Sequence, residues 1–261
     1  MGLRGIALIP ALAALLLISG AARAGELTLA YDFYAGGIQV MEVGADASLN
    51  AAQYTAHAWM RAEGSLARLY EVNFSFAAEG VLSPSPQPRV FNAVYTGMKG
   101  NPAVYVPFRA DGSAPETPPP LLRGANQNAR LSDPLTAALS IVLSNGENPC
   151  GRTYDLYDGL RVFRLVLDTA ETNRVERYNQ SLFEGDAERC AWRYELVAAQ
   201  PGDWAIEWFG KTPPYGKIWV APWPGQPGNL LPVKLLASTP VINVVIHLRE
   251  ASLDGKKVAP N

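Results

Sequence analysis

The clearest pattern in this chain is alternation. From residue 25 onward, apolar and polar positions change places every second residue in one segment after another. In the run Leu27 to Tyr34, the residues Leu27, Leu29, Tyr31 and Phe33 fall on one side. Successive side chains of a strand point to opposite faces, so this spacing predicts a half-buried strand. Gly36-Gly37 supplies a turn after it. Strand-like runs follow near 38–49, 52–62, 66–78, 90–98 and 103–108, most of them separated by Gly, Pro or Asn. That rhythm predicts antiparallel hairpins in a meander.

The pattern returns after residue 150. Tyr157-Asp158-Gly159 reads as a turn, and 160–168 as a strand with Phe163, Leu165 and Leu167 on one face. Cys190, Trp192, Tyr194 and Leu196 share a face, and Trp204, Ile206 and Trp208 alternate in the same way. In the last strand Ile242, Val244, Ile246 and Leu248 face one way, opposite Asn243, Val245, His247 and Arg249. Beyond Asp254 the chain is polar, which predicts a fraying, flexible tail over 254–261.

The period changes only in the middle. Residues 113–120, Ser-Ala-Pro-Glu-Thr-Pro-Pro-Pro, cannot join a sheet because proline has no N–H to donate, so they predict an extended connector. A helix is then predicted to start at Asp133, the N-cap, with Pro134 in the first helical position. Leu135, Leu139, Val142 and Leu143 recur at helical spacing, and Asn145-Gly146 ends the run. No flexible polar linker separates the two sets of strands, and an amphipathic helix needs a sheet to cover. The expected fold is therefore mostly β: one continuous curved antiparallel sheet, spiral or half-barrel-like, with one main helix packed on it. It forms a single domain over 25–253.

The first residues change the picture of where this domain works. Arg4 precedes an uncharged, Ala- and Leu-rich stretch from Gly5 to Ala22, and Ala22-Arg23-Ala24 is a small-x-small pattern. This is the layout of a secretory signal peptide over 1–24, with a retained anchor as the alternative. Removal after Ala24 leaves 20 basic against 24 acidic residues, a net charge of −4. That balance argues against nucleic acid and against electrostatic docking on anionic membranes. No other run is apolar for long enough to span a bilayer. The predicted location is the periplasm.

An exported chain with an even cysteine count favours a disulfide, and Cys150 and Cys190 allow one pairing within the monomer. Two buried thiols or a bridge between chains are the alternatives. An internal bridge closes a loop of about 40 residues, worth roughly 4 kcal/mol in the chain-entropy model.

Catalytic signatures are sparse. The chain has no Gly-x-Ser-x-Gly nucleophile elbow, no phosphate-cradling Gly-rich loop and no His-x-x-x-His pair. Its only histidines are His57 and His247. His57 alternates with Trp59 and reads as part of a packed face; His247 lies opposite the apolar face of its strand and reads as a solvated or interface residue. Asp155 and Asp158 are too sparse for a calcium site. No metal and no cofactor is predicted, and no catalytic residue is assigned. Two carboxylates suffice for glycoside hydrolysis, so acids alone carry no specific signal. Five of the six tryptophans fall in the last third, at Trp192, Trp204, Trp208, Trp219 and Trp223. They read as core rings or as the wall of an apolar groove, with Trp204, Trp208 and Trp219 as candidate ligand contacts.

The order of several features resembles a family of exported bacterial proteins, the domain-of-unknown-function 3108 family. These are the opening strand Tyr31-Asp32-Phe33-Tyr34 before Gly36-Gly37, Asp133-Pro134-Leu135-Thr136 leading the helix, and Cys150 followed by Tyr157-Asp158-Gly159 and the strand Leu160 to Leu167. A second Cys before an aromatic strand, and Leu231-Pro232-Val233 before the final strand, complete the set. The arrangement is also similar to alphaproteobacterial envelope-integrity β-spiral proteins. The resemblance implies a curved sheet around a helix, a structural cysteine bridge, no assigned reaction and a role in envelope maintenance. The expectation is a non-enzymatic protein of cell-envelope homeostasis holding a lipid, acyl chain or peptide in an apolar groove. A scaffold for another envelope protein and a carboxylate-based hydrolase of cell-wall or polysaccharide material are the alternatives.

Overall fold

The structure, a computed structural model, describes residues 25–68, 71–97, 102–110, 130–200, 212–239 and 242–259, together with Asp203 and Ile206. The first half contributes β1 (Gly25–Ala35), β2 (Ile38–Leu49), β3 (Gln53–Ala62), a single helical turn α1 (Gly64–Ala67), β4 (Asn73–Val81), β5 (Gln87–Thr96) and β6 (Ala103–Pro107). The helix α2 (Pro134–Val142) follows. The second half contributes β7 (Thr153–Tyr157), β8 (Arg161–Val175), β9 (Gly185–Ala199), β10 (Tyr215–Pro222), β11 (Leu230–Ser238), β12 (Asn243–Leu253) and β13 (Lys256–Lys257).

All thirteen strands join one antiparallel sheet, in the order β6-β5-β4-β3-β2-β1-β12-β11-β10-β9-β8-β7, with β13 added to β12. Each half is a meander, and the first and last long strands, β1 and β12, weld the halves together. Leu27 pairs with Leu253, Leu29 with Ala251, and Phe33 with Ile246. Register shifts at Ala30/Tyr31, Phe33/Tyr34, Glu79/Gly80 and Trp219/Val220 bend the layer, because a bulge adds local twist. The layer curls until its ends approach. Gly159, in the β7–β8 turn, lies so near β6 that a Cβ there would stand 2.7 Å from the Cβ of Val104. The segment before α2 covers the edge of β7 through a parallel bridge between Ser132 and Leu156.

The helix lies inside this curl. Asp133 caps it: its carboxylate accepts from the backbone N–H of Leu135 at 2.9 Å and of Thr136 at 2.8 Å. Leu139 and Val142 are buried and Leu135 and Leu143 half-buried, as the predicted stripe requires. Thr136, Ala137 and Ile141 are buried as well, because α2 touches β3, β4, β7 and β11.

Three expectations need correction. The run 66–78 is not one strand: Gly64, at φ +59°, turns the chain into α1, and β4 starts only at Asn73. Residues 254–259 do not fray. Asp254 and Gly255, at φ +53° and +71°, form a tight turn, β13 pairs with β12, and Val258 N–H donates to Ala251. His57 is exposed rather than packed. The segment 1–24, the connector 113–120, and Trp204 and Trp208 lie outside the described residues.

Candidate functional site

The concave face of the sheet is set by ladder register. Leu27, Leu29 and Tyr31 of β1 stand beside Ala47, Ala45 and Val43 of β2. Ala47 and Ala45 stand in turn beside Ala56 and Ala58 of β3. On the other side, Phe33 pairs with Ile246, Ile246 with Leu235, and Leu235 with Ile218. The helix presents Leu135, Ala138, Leu139, Ile141 and Val142 to this wall. Where α2 faces Ala45, Ala47 and Ala56, methyl groups are too short to fill the gap. A cavity of about 260 Å³ remains between helix and sheet, walled by β1, β2, β3, β10, β11 and β12.

The lining is almost wholly apolar. Its charged members are Asp46, which is exposed, and Lys234. The Lys234 side chain alternates with Leu235, so its ammonium lies on the far face of the sheet, 5.0 Å from the ring centre of Trp219. Burial lowers the Lys234 pKa, and the charge of Glu176 opposes that shift. Tyr31 brings the one phenol among the lining residues, and burial raises its pKa well above the ordinary tyrosine value.

The cavity wall runs directly into the cysteine bridge. Cys150 and Cys190 are joined, with Cα atoms 5.2 Å apart. Cys190 is fully buried and pairs across the sheet with Ile218, a lining residue. Ile141, Leu167, Cys190, Ile218 and Val220 form a second apolar cluster, which shares Ile141 and Ile218 with the cavity lining. A disulfide is the chemistry of an oxidising compartment.

Trp219 stands elsewhere. It follows Ile218 in β10, so its ring points to the opposite face. It is buried there, and its indole N–H donates to Asn173 Oδ1 at 3.3 Å. The sequence offered this ring as a core residue or as a groove contact, and the structure buries it in the core; the alanines were missed, although they recur at every second position of β2 and β3.

That opposite face holds a cluster of buried charges. Arg249 bridges two acids, Asp32 at 3.1 Å and Glu42, and Arg61 Nη2 reaches Glu42 at 2.6 Å. Burial raises the pKa of Asp32, partly offset by Arg249. Burial also pushes Glu42 upward, but hydrogen bonds from Arg249 and Arg61 outweigh it and its pKa is lowered. An arginine clamped between two carboxylates, on the face away from the cavity, ties β1, β2 and β12 together. His247 corrects a further expectation. It is 4% exposed rather than solvated, because Tyr178 from the β8–β9 connection stacks on it at 5.0 Å. Its pKa falls to about 4, first through burial and then through the charge of Lys234. Among the described residues no group of three His, Cys, Asp or Glu could hold a metal ion, and no helix is long and apolar enough to cross a membrane.

No family model matches the chain and no curated protein matches it, so the likeness to the domain-of-unknown-function 3108 family rests on the motifs alone. Similar solved structures include a beta-barrel-like protein of domain of unknown function 1849 from Brucella abortus. It is 12% identical, with a TM-score of 0.47 over 90% of this chain and 99% of that one. A protein described as exported, with YmcC-like fold, from Bacteroides fragilis is 11% identical, with a TM-score of 0.33 over 88% and 97% of the two chains. A protein described as a lipoprotein from Parabacteroides distasonis is 10% identical, with a TM-score of 0.32 over 88% and 96%.

Proposed function

We propose that this is a non-enzymatic periplasmic protein of the cell envelope that holds an acyl chain in the cavity beneath α2. The observation that carries the reading is the composition of that wall. Leucine, isoleucine, valine and alanine side chains surround a space just below the usual size range for ligand sites. A hydrocarbon chain gains from such a lining because water leaves both surfaces. A sugar or a charged peptide would lose its hydrogen bonds to water there without replacement. The buried carboxylates Asp32 and Glu42 lie on the other face, so the cavity itself offers no acid pair for hydrolysis.

The test uses cis-parinaric acid, a fluorescent acyl probe, with native mass spectrometry of the purified protein as a second readout. The wild type is expected to bind the probe in a one-to-one complex. Ala45→Trp, which places a ring in the cavity, is expected to weaken binding at least about tenfold. Absence of probe binding by the folded wild type would sink the reading, as would unchanged binding by a folded Ala45→Trp.

A further inference from the structure

The cavity beneath α2 has a neighbour at the end of the sheet where β1 begins. The β2–β3, β4–β5, β10–β11 and β12–β13 turns fall at that end, together with the C-terminus of α2. They surround a second cleft of about 630 Å³, within the usual size range for ligand sites. The two spaces follow one another along the same elements. Leu27 and Ala47 line the cavity; two residues before Leu27 and two after Ala47, on the same face of their strands, Gly25 and Leu49 line the cleft and pair with each other. Leu253, also in the cleft wall, pairs with Leu27. On α2, Leu139 and Val142 belong to the cavity, Ser140 and Leu143 to the cleft.

The second space is polar where the first is apolar. Ser83, Ser85, Asn145, Gln226 and Asn229 bring hydroxyls and amides to it, groups that donate and accept side by side. Ser144 adds a sharper signal. This lining residue is 6% exposed, and its hydroxyl has no hydrogen-bond partner among the described residues. Buried hydroxyls are nearly always paired, because an unpaired one costs free energy. Charges are few and already answered. Arg152, the one cation among the described lining residues, is tied to Glu147, and Asp254 accepts from the backbone N–H of Glu26 at 3.0 Å. Two carboxylates against one guanidinium leave the cleft short of positive charge, and the C-terminal end of α2 adds a partial negative one.

We propose that this cleft receives the headgroup of the ligand whose hydrocarbon chain lies in the cavity, and that the headgroup is neutral and rich in hydroxyls, as in a glycoside of a fatty chain. The proposal rests on the acyl-holding reading and adds the polar half of the ligand. Each sugar hydroxyl both donates and accepts, so it matches a wall of amides, serines and the last carbonyls of a helix, which lack donors within the helix itself. The apolar side of a sugar ring suits Leu49, Leu82, Leu143 and Leu253, which line the same cleft. A phosphate next to the chain would bring negative charge and acceptors, which call for cationic donors. Arg152 is already held by Glu147, and Asp254 would repel it.

Calorimetric titration with two amphiphiles of equal chain length tests this: decyl maltoside and decylphosphocholine, each below its micelle concentration. The wild type is expected to bind decyl maltoside one-to-one and at least about tenfold more tightly than decylphosphocholine. Ser144→Ala removes the unpartnered hydroxyl and leaves no polar group behind. It is expected to weaken decyl maltoside binding several-fold and to leave cis-parinaric acid binding unchanged, since Ser144 does not line the cavity. A hydroxyl with a merely structural role would alter neither. Asn229→Ala, on the β10–β11 turn, is expected to act in the same way and serves if Ser144→Ala does not fold. Equal or tighter binding of decylphosphocholine overturns the proposal, as does undiminished decyl maltoside affinity in the folded variants. A wild type that binds parinaric acid but not decyl maltoside overturns it and keeps the acyl-holding reading. Maltose alone binding as tightly as decyl maltoside keeps the sugar in the cleft and removes the chain from the cavity, and with it the acyl-holding reading.

Discussion

The phenol oxygen of Tyr54 on β3 lies 2.5 Å from the hydroxyl of Thr136 in the first turn of α2, linking residues 82 apart in sequence. Thr136 donates onward to the second carboxylate oxygen of Asp133, at 2.5 Å. Tyr54 is therefore the donor at the head of the chain Tyr54–Thr136–Asp133, and all three residues are buried. This relay fixes the start of the helix against the sheet and so sets the gap that becomes the cavity. Tyr54→Phe keeps the ring and removes one buried hydrogen bond, so it is expected to cost about 1–2 kcal/mol in urea unfolding. Asp133→Ala also removes the cap and leaves two backbone N–H groups without their acceptor, and is expected to cost more, about 2–4 kcal/mol. Equal losses from the two variants would contradict the relay.

The disulfide supplies a second expectation. Cys150 and Cys190 close a loop with a sequence separation of 40. Replacing both by alanine is expected to lower stability by about 2–5 kcal/mol under oxidising conditions. Because Cys190 backs onto Ile218 of the cavity wall, weaker parinaric acid binding is expected to accompany the loss. An unchanged melting temperature would contradict the first part.

His247 makes stability depend on pH. Its folded pKa, about 4, lies below the ordinary histidine value of 6.5, so the folded state keeps it neutral while the unfolded chain takes up a proton. Above pH 6.5 the site contributes no pH dependence. As pH falls from 6.5 toward 4, the unfolded state gains the proton and stability drops, by about 2–3 kcal/mol in all. Asp133 acts in the opposite sense, since burial raises its pKa to about 6 and favours the protonated folded state between 6 and 3.8. The His247 contribution is therefore read as a difference. The loss on acidification should be smaller in His247→Gln than in the wild type, and parallel curves would contradict the buried neutral imidazole.

Gly44 is placed by a close approach. The Trp59 ring lies across it, and a Cβ at this position would stand 2.4 Å from Trp59 Cε2. Arg61 packs over the same ring at 4.5 Å. Gly44→Ala is expected to displace the indole and cost about 1–3 kcal/mol, visible as a shifted tryptophan emission maximum together with a lower urea midpoint. An unchanged spectrum would show that the ring is not held there.

Much of this molecule is legible in the order of its residues. The alternation from Leu27 to Phe33 marked β1, and the Asp133-Pro134 pair marked the first turn of α2, because each signal acts within a few residues. The misplaced elements had local signals that were outweighed. The Asp254-Gly255 pair announces a hairpin, but the polarity of the tail hid it. His247 looked solvated because it lies opposite the apolar face of its strand; its cover, Tyr178, comes from a connection 69 positions away. Trp219 drew attention as a large ring, whereas the cavity depends on residues that are small.

The sequence by itself determined most of the strands, where α2 begins, and which side of the clearest strands is apolar. Those follow from side-chain alternation, capping and proline, all of which are short-range. Only the tertiary structure decided that β1 and β12 close the two meanders into one layer, that α2 sits over a patch of alanines, and that the remaining gap is hollow. Enclosure depends on which faces meet and how far bulges bend them, and neither quantity is written in the spacing of any single segment.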